Sequence, residues 1–120
     1  MSDKRIGGDL VKGHIATMVL AVLATKPRHG YDIMRALSSR SRGVFDLGQG
    51  TVYPLLYTLE EQGFIKSAAE IVDGRRRKVY SLTASGRRSS AQRKHTWQAF
   101  QSAVNSVLAP EMMEGLFNVQ

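Results

Sequence analysis

Cysteine is absent from this 120-residue chain. That removes a disulfide framework, a thiol nucleophile and thiolate metal ligation, and it suits the reducing cytoplasm, where we expect the protein to work. Histidine is scarce: His14, His29 and His95 stand far apart, without carboxylates at ligand spacing, so no metal site is expected. No glycine loop of the Walker or dinucleotide type occurs, so no nucleotide cofactor is expected. Ser38-Ser39 and Ser89-Ser90 lie on polar faces with no general base in view to activate them. The one adjacent carboxylate pair, Glu60-Glu61, would point about 100° apart on a helix. These absences argue against an enzyme. The chain also lacks an apolar run of the roughly 20 residues needed to span a bilayer. Lys4, Arg5 and Lys12 ahead of the apolar stretch 15–24 imitate a secretion signal. Against that reading, Leu10, Val11, His14, Ile15, Met18, Val19, Val22 and Leu23 repeat at the spacing of an amphipathic helix.

What is abundant is positive charge. Seventeen Lys and Arg against ten Asp and Glu give a formal charge of +7, which favours a polyanionic partner, nucleic acid first. The charge is uneven. Residues 26–42 hold five bases and one acid, residues 75–94 hold eight bases and no acid, and no Lys or Arg follows Lys94. A basic middle and a weakly acidic end suggest two tasks in two parts of the chain.

The periodicity predicts helix, helix, helix, hairpin, long helix. Residues 1–8 are polar or glycine-rich and read as a frayed end. A first helix is expected over about 9–26, with Asp9 as N-cap and Pro27 beyond its end. Tyr31 to Arg40 reads as a second helix burying Ile33, Met34 and Leu37. In the stretch 47–65, Val52, Leu55, Leu56 and Leu59 recur at i, i+3, i+4 and i+7. The opposite face carries Gly50, Pro54, Tyr57 and Glu61, flanked by Thr51, Tyr53 and Thr58. This third helix closes at Gly63 in the left-handed position, and Pro54 requires it to start near Gly50 or to kink. Residues 64–72 and 77–82 read as strands around the turn Asp73-Gly74. Thr83 caps a long helix reaching Ala109, with Pro110 interrupting, and Met112, Met113, Leu116 and Phe117 either form a short tail helix folded back on the long one or line a pocket.

Three helices and a hairpin with a basic tip make a winged helix-turn-helix, a mostly α fold with a small β-hairpin. In that plan the third helix enters the major groove and the wing meets the backbone or minor groove. Gln49, Thr51, Tyr53, Tyr57 and Thr58 would then carry uncharged hydrogen-bonding groups to DNA, and Gly50 would let a backbone amide near a phosphate. Arg75, Arg76, Arg77 and Lys78 at the tip suit phosphate. A solvated charge run guarding a hairpin edge is the plainer alternative, and a winged helix that binds a protein partner rather than DNA is the functional rival.

His29-Gly30-Tyr31-Asp32-Ile33, then Gly50-Thr51-Val52-Tyr53-Pro54-Leu55-Leu56 with Leu59-Glu60-Glu61-Gln62-Gly63, then Gly74 to Gly86 resemble the PadR family of bacterial transcriptional regulators over about residues 10–105. The resemblance implies a dimeric repressor, in which Tyr31, Thr51, Tyr53 and the wing arginines lie where family members touch DNA. Family members commonly carry Ser-Pro ahead of the Gly-Thr pair, where this chain has Gly48-Gln49. Its end near Gln120 matches the short subgroup. On this reading residues 1–82 form the DNA-binding domain and 83–120 the dimerisation helix and tail, in one compact unit.

On the long helix, Trp97, Phe100, Val104, Val107 and Leu108 form a coiled-coil type seam. With Val11, His14, Ile15 and Met18 of the first helix they are the expected homodimer interface. By resemblance to multidrug sensors of the family, Trp97 and Phe100 are candidates for a pocket holding a small aromatic effector; the plainer reading is a tryptophan that only packs. The expected partners are a pseudo-palindromic double-stranded operator and a second copy of the chain, with no membrane.

Overall fold

The computed structural model describes residues 14–109. Four helices and a three-stranded sheet follow in the order α1 (Ile15–Thr25), β1 (Arg28–His29), α2 (Gly30–Arg40), α3 (Gln49–Glu61), β2 (Ile65–Val72), β3 (Arg75–Leu82) and α4 (Ala84–Leu108). The expected cap at Asp9, the seam positions Leu10 and Val11, Pro110, and the tail residues Met112, Met113, Leu116 and Phe117 lie outside the described residues.

One core joins all three layers. Ile15, Val19, Leu20, Val22 and Leu23 of α1 meet Ile33 and Leu37 of α2, Val52, Leu56 and Leu59 of α3, and Ile65, Tyr80 and Leu82 of the sheet. Fully burying a side chain of this size stabilises by about 1.5–3 kcal/mol, so this cluster is the main favourable term of the fold. The apolar stretch that imitates a secretion signal is therefore core. Ile15, which periodicity placed on the dimer face, is also buried within the protomer. The reason is that α1 is apolar over most of its circumference, so which side faces its own chain is set by the helices around it rather than by its pattern.

Local signals explain most boundaries. Lys26 is extended ahead of Pro27, which ends α1. Gly63 has φ +81°, and its N–H bonds Glu60 O at 3.0 Å while Phe64 N–H bonds Leu59 O at 3.0 Å. This six-to-one and five-to-two pair closes α3 as a Schellman motif. Asp73 and Gly74 both take positive φ, 51° and 76°, the two-residue turn whose twist matches the strands it joins. Thr83 caps α4, its Oγ1 accepting from Gly86 N–H at 3.0 Å.

Two features depart from the sequence reading. Arg28–His29, which the periodicity leaves between the first two helices, forms a strand on β3, giving the order β1-β3-β2. The wing is also longer than expected: β3 begins at Arg75, immediately after the turn, with Val72 opposite Arg75 and Ile65 opposite Leu82. A two-residue turn leaves no room for unpaired residues, so the arginines are drawn into the ladder.

Candidate nucleic-acid interface

The three motifs converge on one side of the molecule. Tyr31 opens α2 and is exposed, with the Arg35 guanidinium carbon 5.8 Å from the centre of its ring. Gln49, Gly50 and Thr51 form the exposed first turn of α3. Its next turns present Tyr53 and Tyr57, the latter 66% exposed. Val52, Leu56 and Leu59 turn inward, as the seam requires.

Tyr53 is held rather than free. A Cβ added at Gly30 would lie 2.5 Å from its hydroxyl oxygen, so the ring occupies the space that only a glycine leaves at the start of α2. Tyr31, Tyr53, Lys78 and Tyr80 line one groove of about 340 Å³ between α2, α3 and the wing. A second groove, of about 440 Å³, runs from Tyr31 and Arg35 to Gln49. Tyr31 stands between the two, linking the wing to the first turn of α3.

Pro54 lies inside α3, in its second turn. Proline has no N–H, so the carbonyl of Gly50 lacks its helical donor, which is tolerable on a face open to solvent. Thr58 Oγ1 donates to Pro54 O at 3.1 Å. Its hydroxyl proton is committed to its own helix, so Thr58 offers an outside partner lone pairs only. That excludes it as a donor to phosphate while the bond holds, a limit the sequence did not disclose.

The four wing cations do not form a single tip. Strand alternation puts Arg75 and Arg77 on one face, and Arg76 and Lys78 on the other with Tyr80 and Leu82. Arg77 is paired across the ladder with Glu70, whose Oε1 lies 3.1 Å from His29 Nε2. Arg76 and Lys78 face Ile71 and Ala69 instead and have no acid opposite. Arg75, opposite Val72, has no acid across the ladder either, and Arg77 lines the groove of Tyr31 and Tyr53 together with Lys78, so what sets Arg76 and Lys78 apart is the sheet face they share with Tyr80.

Beneath the groove, Tyr80 is buried, and that burial pushes its phenol above the ordinary value of 10.0, with the Tyr53 hydroxyl and the Glu60 carboxylate adding to the shift. The fold favours the neutral phenol. Its contribution is full below pH 10 and is lost as pH rises through the folded value, because the unfolded chain gives up the proton first. Denaturant melts at pH 8 and pH 11 should show a smaller alkaline loss for Tyr80→Phe than for the wild type. Equal losses would mean that the phenol does not titrate against the fold.

The expected dimer residues fall in two groups. His14, Trp97 and Phe100 form a ring cluster, with centroids 5.1 Å apart for His14 and Trp97 and 5.7 Å for Trp97 and Phe100. An open groove of about 550 Å³ beside it is lined also by Thr17, Gln92 and Arg93. Farther along α4, Val104 is half-buried while Val107 and Leu108 are exposed. Met18 packs partly against the core.

Three helices packed under a hairpin wing, with a long helix after it, define a winged helix-turn-helix regulator. The transcriptional regulator PadR-like family matches residues 19–92, and the chain belongs to that family. It is similar to a PadR family transcription regulator of Clostridium difficile, with 32% identity and a TM-score of 0.70, covering 80% of this chain and 99% of that one. A PadR-like regulator of Bacillus cereus, at 22% identity, shares the fold with a TM-score of 0.75 over 84% of this chain and 97% of that one. A transcriptional regulator of Mycobacterium tuberculosis is 45% identical over 47 residues, 39% of this chain and 44% of that protein. The family and its structural neighbours are transcriptional regulators, not enzymes. Among the described residues no helix is long and apolar enough to cross a membrane, and no group of three or more His, Asp or Glu could hold a metal.

Proposed function

We propose that this PadR-like regulator is a homodimeric repressor that binds a pseudo-palindromic operator. Each protomer sets residues 49–61 into a major groove and lays residues 75–78 along the flank. Tyr31, Gln49, Gly50, Thr51, Tyr53, Tyr57, Thr58, Arg75, Arg76, Arg77 and Lys78 make the contacts. Residues 1–82 act as the DNA-binding unit and residues 83–120 join the subunits, in the cytoplasm. The observation that carries this reading is the groove in which Tyr31, Tyr53 and Lys78 meet. It brings the first turn of α2, the outer face of α3 and the wing onto one basic surface.

The test is binding of the purified chain to its own upstream DNA and to a scrambled duplex at two salt concentrations. Tight, steeply salt-dependent binding to the first alone is expected, and addition of protein should lower transcription from that promoter in vitro. Weak, equal binding to both would mean that the operator lies elsewhere or that the winged helix serves a protein partner. Arg76→Ala should weaken binding to every sequence and flatten the salt slope by about one unit for each protomer bound, since one phosphate contact is lost. Tyr57→Ala should hurt the operator more than random DNA. Equal losses on the two DNAs would remove Tyr57 from readout.

A small aromatic effector is the regulatory part of the proposal. It is supported by the open groove beside Trp97 and Phe100, where a flat ring could stack, and by reciprocity, since a ligand that prefers one subunit arrangement shifts DNA affinity. Trp97 is the chain's only tryptophan, so planar compounds bound there should change its emission. Unchanged emission across a broad set of such compounds would remove this part alone.

A further inference from the structure

We propose that Ile71 is an apolar wedge that the wing sets into the minor groove of bound DNA; the inference rests on the DNA-binding reading above and names a contact that reading does not include. Ile71 is 69% exposed, on a hairpin whose β3 partners are cations from Arg75 to Lys78. Lone surface isoleucines are ordinary, and exposure by itself decides nothing. Position does. The ladder places Ile71 opposite Arg76, Ala69 opposite Lys78 and Ser67 opposite Tyr80, so all six share one sheet face. Near the body, that face lies against α3. Tyr80 is buried there, and Ser67 Oγ donates to Glu60 Oε2 of α3 at 2.7 Å. Ile71 is therefore on the extension of the α3-facing side beyond the end of the core, the side that meets a duplex held by α3.

The chemistry around it fits that ligand. Arg76 across the ladder and Lys78 on the diagonal supply charge for phosphates on the groove walls. Between those walls the minor groove exposes sugar carbons and base edges, against which side chains such as Ile are inserted to part a base step. A β-branched side chain is already stiff at χ1, so it loses little freedom on insertion. The register leaves no slack either: Asp73 and Gly74 close a two-residue turn, and a one-residue slip would send Ile71 to the opposite face.

The experiment uses the full chain and the tightest duplex recovered by in vitro selection on the wild type. Ile71→Val keeps an apolar β-branched side chain one methylene shorter, and Ile71→Thr has nearly the size of that Val with one of its methyls replaced by a hydroxyl, so the Val–Thr pair isolates polarity from size. Both keep strand propensity and should melt as the wild type does. Binding is expected within about threefold of wild type for Val and roughly tenfold weaker for Thr, with an unchanged salt slope, because no phosphate contact is lost. Arg76→Ala, measured alongside, should lower both affinity and slope. If Ile71→Thr binds as tightly as Ile71→Val while Arg76→Ala weakens binding, the wedge is overturned and the DNA-binding reading stands. If selection recovers no duplex, or neither Arg76→Ala nor Ile71→Thr changes binding, the wing does not engage DNA and the wedge falls with it.

Discussion

Gly86→Ala should lower the stability of the chain by about 3 kcal/mol, a large share of the 5–15 kcal/mol typical of a domain this size. A Cβ at Gly86 would run into the carbonyl oxygen of Phe64, with the Phe64 carbonyl carbon at 2.9 Å and Leu82 Cδ2 at 3.3 Å. The obstacle is backbone, so no rotamer change relieves it. That backbone is also fixed, because Phe64 O accepts from Thr83 N–H at 3.0 Å. Thr83 Oγ1 donates to Gly63 O at 2.6 Å and accepts from Gly86 N–H at 3.0 Å, so moving any one of these groups disturbs the others. Gly50→Ala is the contrast: Gly50 has open space around it on α3, and the fold should tolerate the change. Urea midpoints of the two variants decide the matter. A midpoint for Gly86→Ala at or above wild type would show that the close approach of α4 to the end of α3 is not a constraint.

The largest functional loss is expected from breaking the proposed dimer. Along α4 only Gly86 and Ser90 are buried within the protomer, and both lie in its first two turns. Phe100 is 57% exposed and Val107 76%. A double Phe100→Glu, Val107→Glu variant puts charge into this seam while leaving the protomer core untouched. It should sediment as a monomer with an unchanged helix content. Its operator affinity should fall by about 10²–10⁴-fold, because the second half-site contact no longer follows from the first. A variant that still sediments as a dimer, or that binds the operator as the wild type does, would place the subunit contact elsewhere.

Where structure is set by a few neighbouring residues, it was legible in the sequence. The Asp73-Gly74 turn, the close of α3 at Gly63 and the Thr83 cap each carry a local chemical signal, and each stands where that signal pointed. The face of α3 was legible too, since Val52, Leu56 and Leu59 are spaced for one side of a helix and nothing competes for it. What escaped depends on partners distant in the chain. Arg28 and His29 have no strand pattern and become β1 only because the exposed edge of β3 is available. Leu20, fully buried, was missing from the expected seam of α1, and Ile15 was assigned to the wrong surroundings, because an all-round apolar helix does not say which of its sides meets what. At the interface, the residue types of the wing were legible and their division between two sheet faces was not. That division follows from register, which the turn imposes on residues whose charge alone would suggest a cluster. The back-bond of Thr58 is likewise a matter of rotamer.

The joint at Gly63, Thr83 and Ser85 also has a mechanical meaning. Ser85 Oγ donates to Gly63 O at 3.0 Å, beside the Thr83 bond, so the end of α3 and the beginning of α4 are tied across a single carbonyl. At roughly 1.5 Å per residue, the 25 residues of α4 make a stiff rod about 37 Å long. In the proposed dimer the rod is a lever arm whose fulcrum is the subunit seam. From the middle of that seam, near residue 102, the arm to the joint is about 27 Å, so a tilt of about 10° would sweep the joint end through about 5 Å, more than one base-pair step of 3.4 Å. Small rearrangements at the seam would thus be geared up into a mismatch of groove spacing at the DNA, without any change inside the winged helix itself.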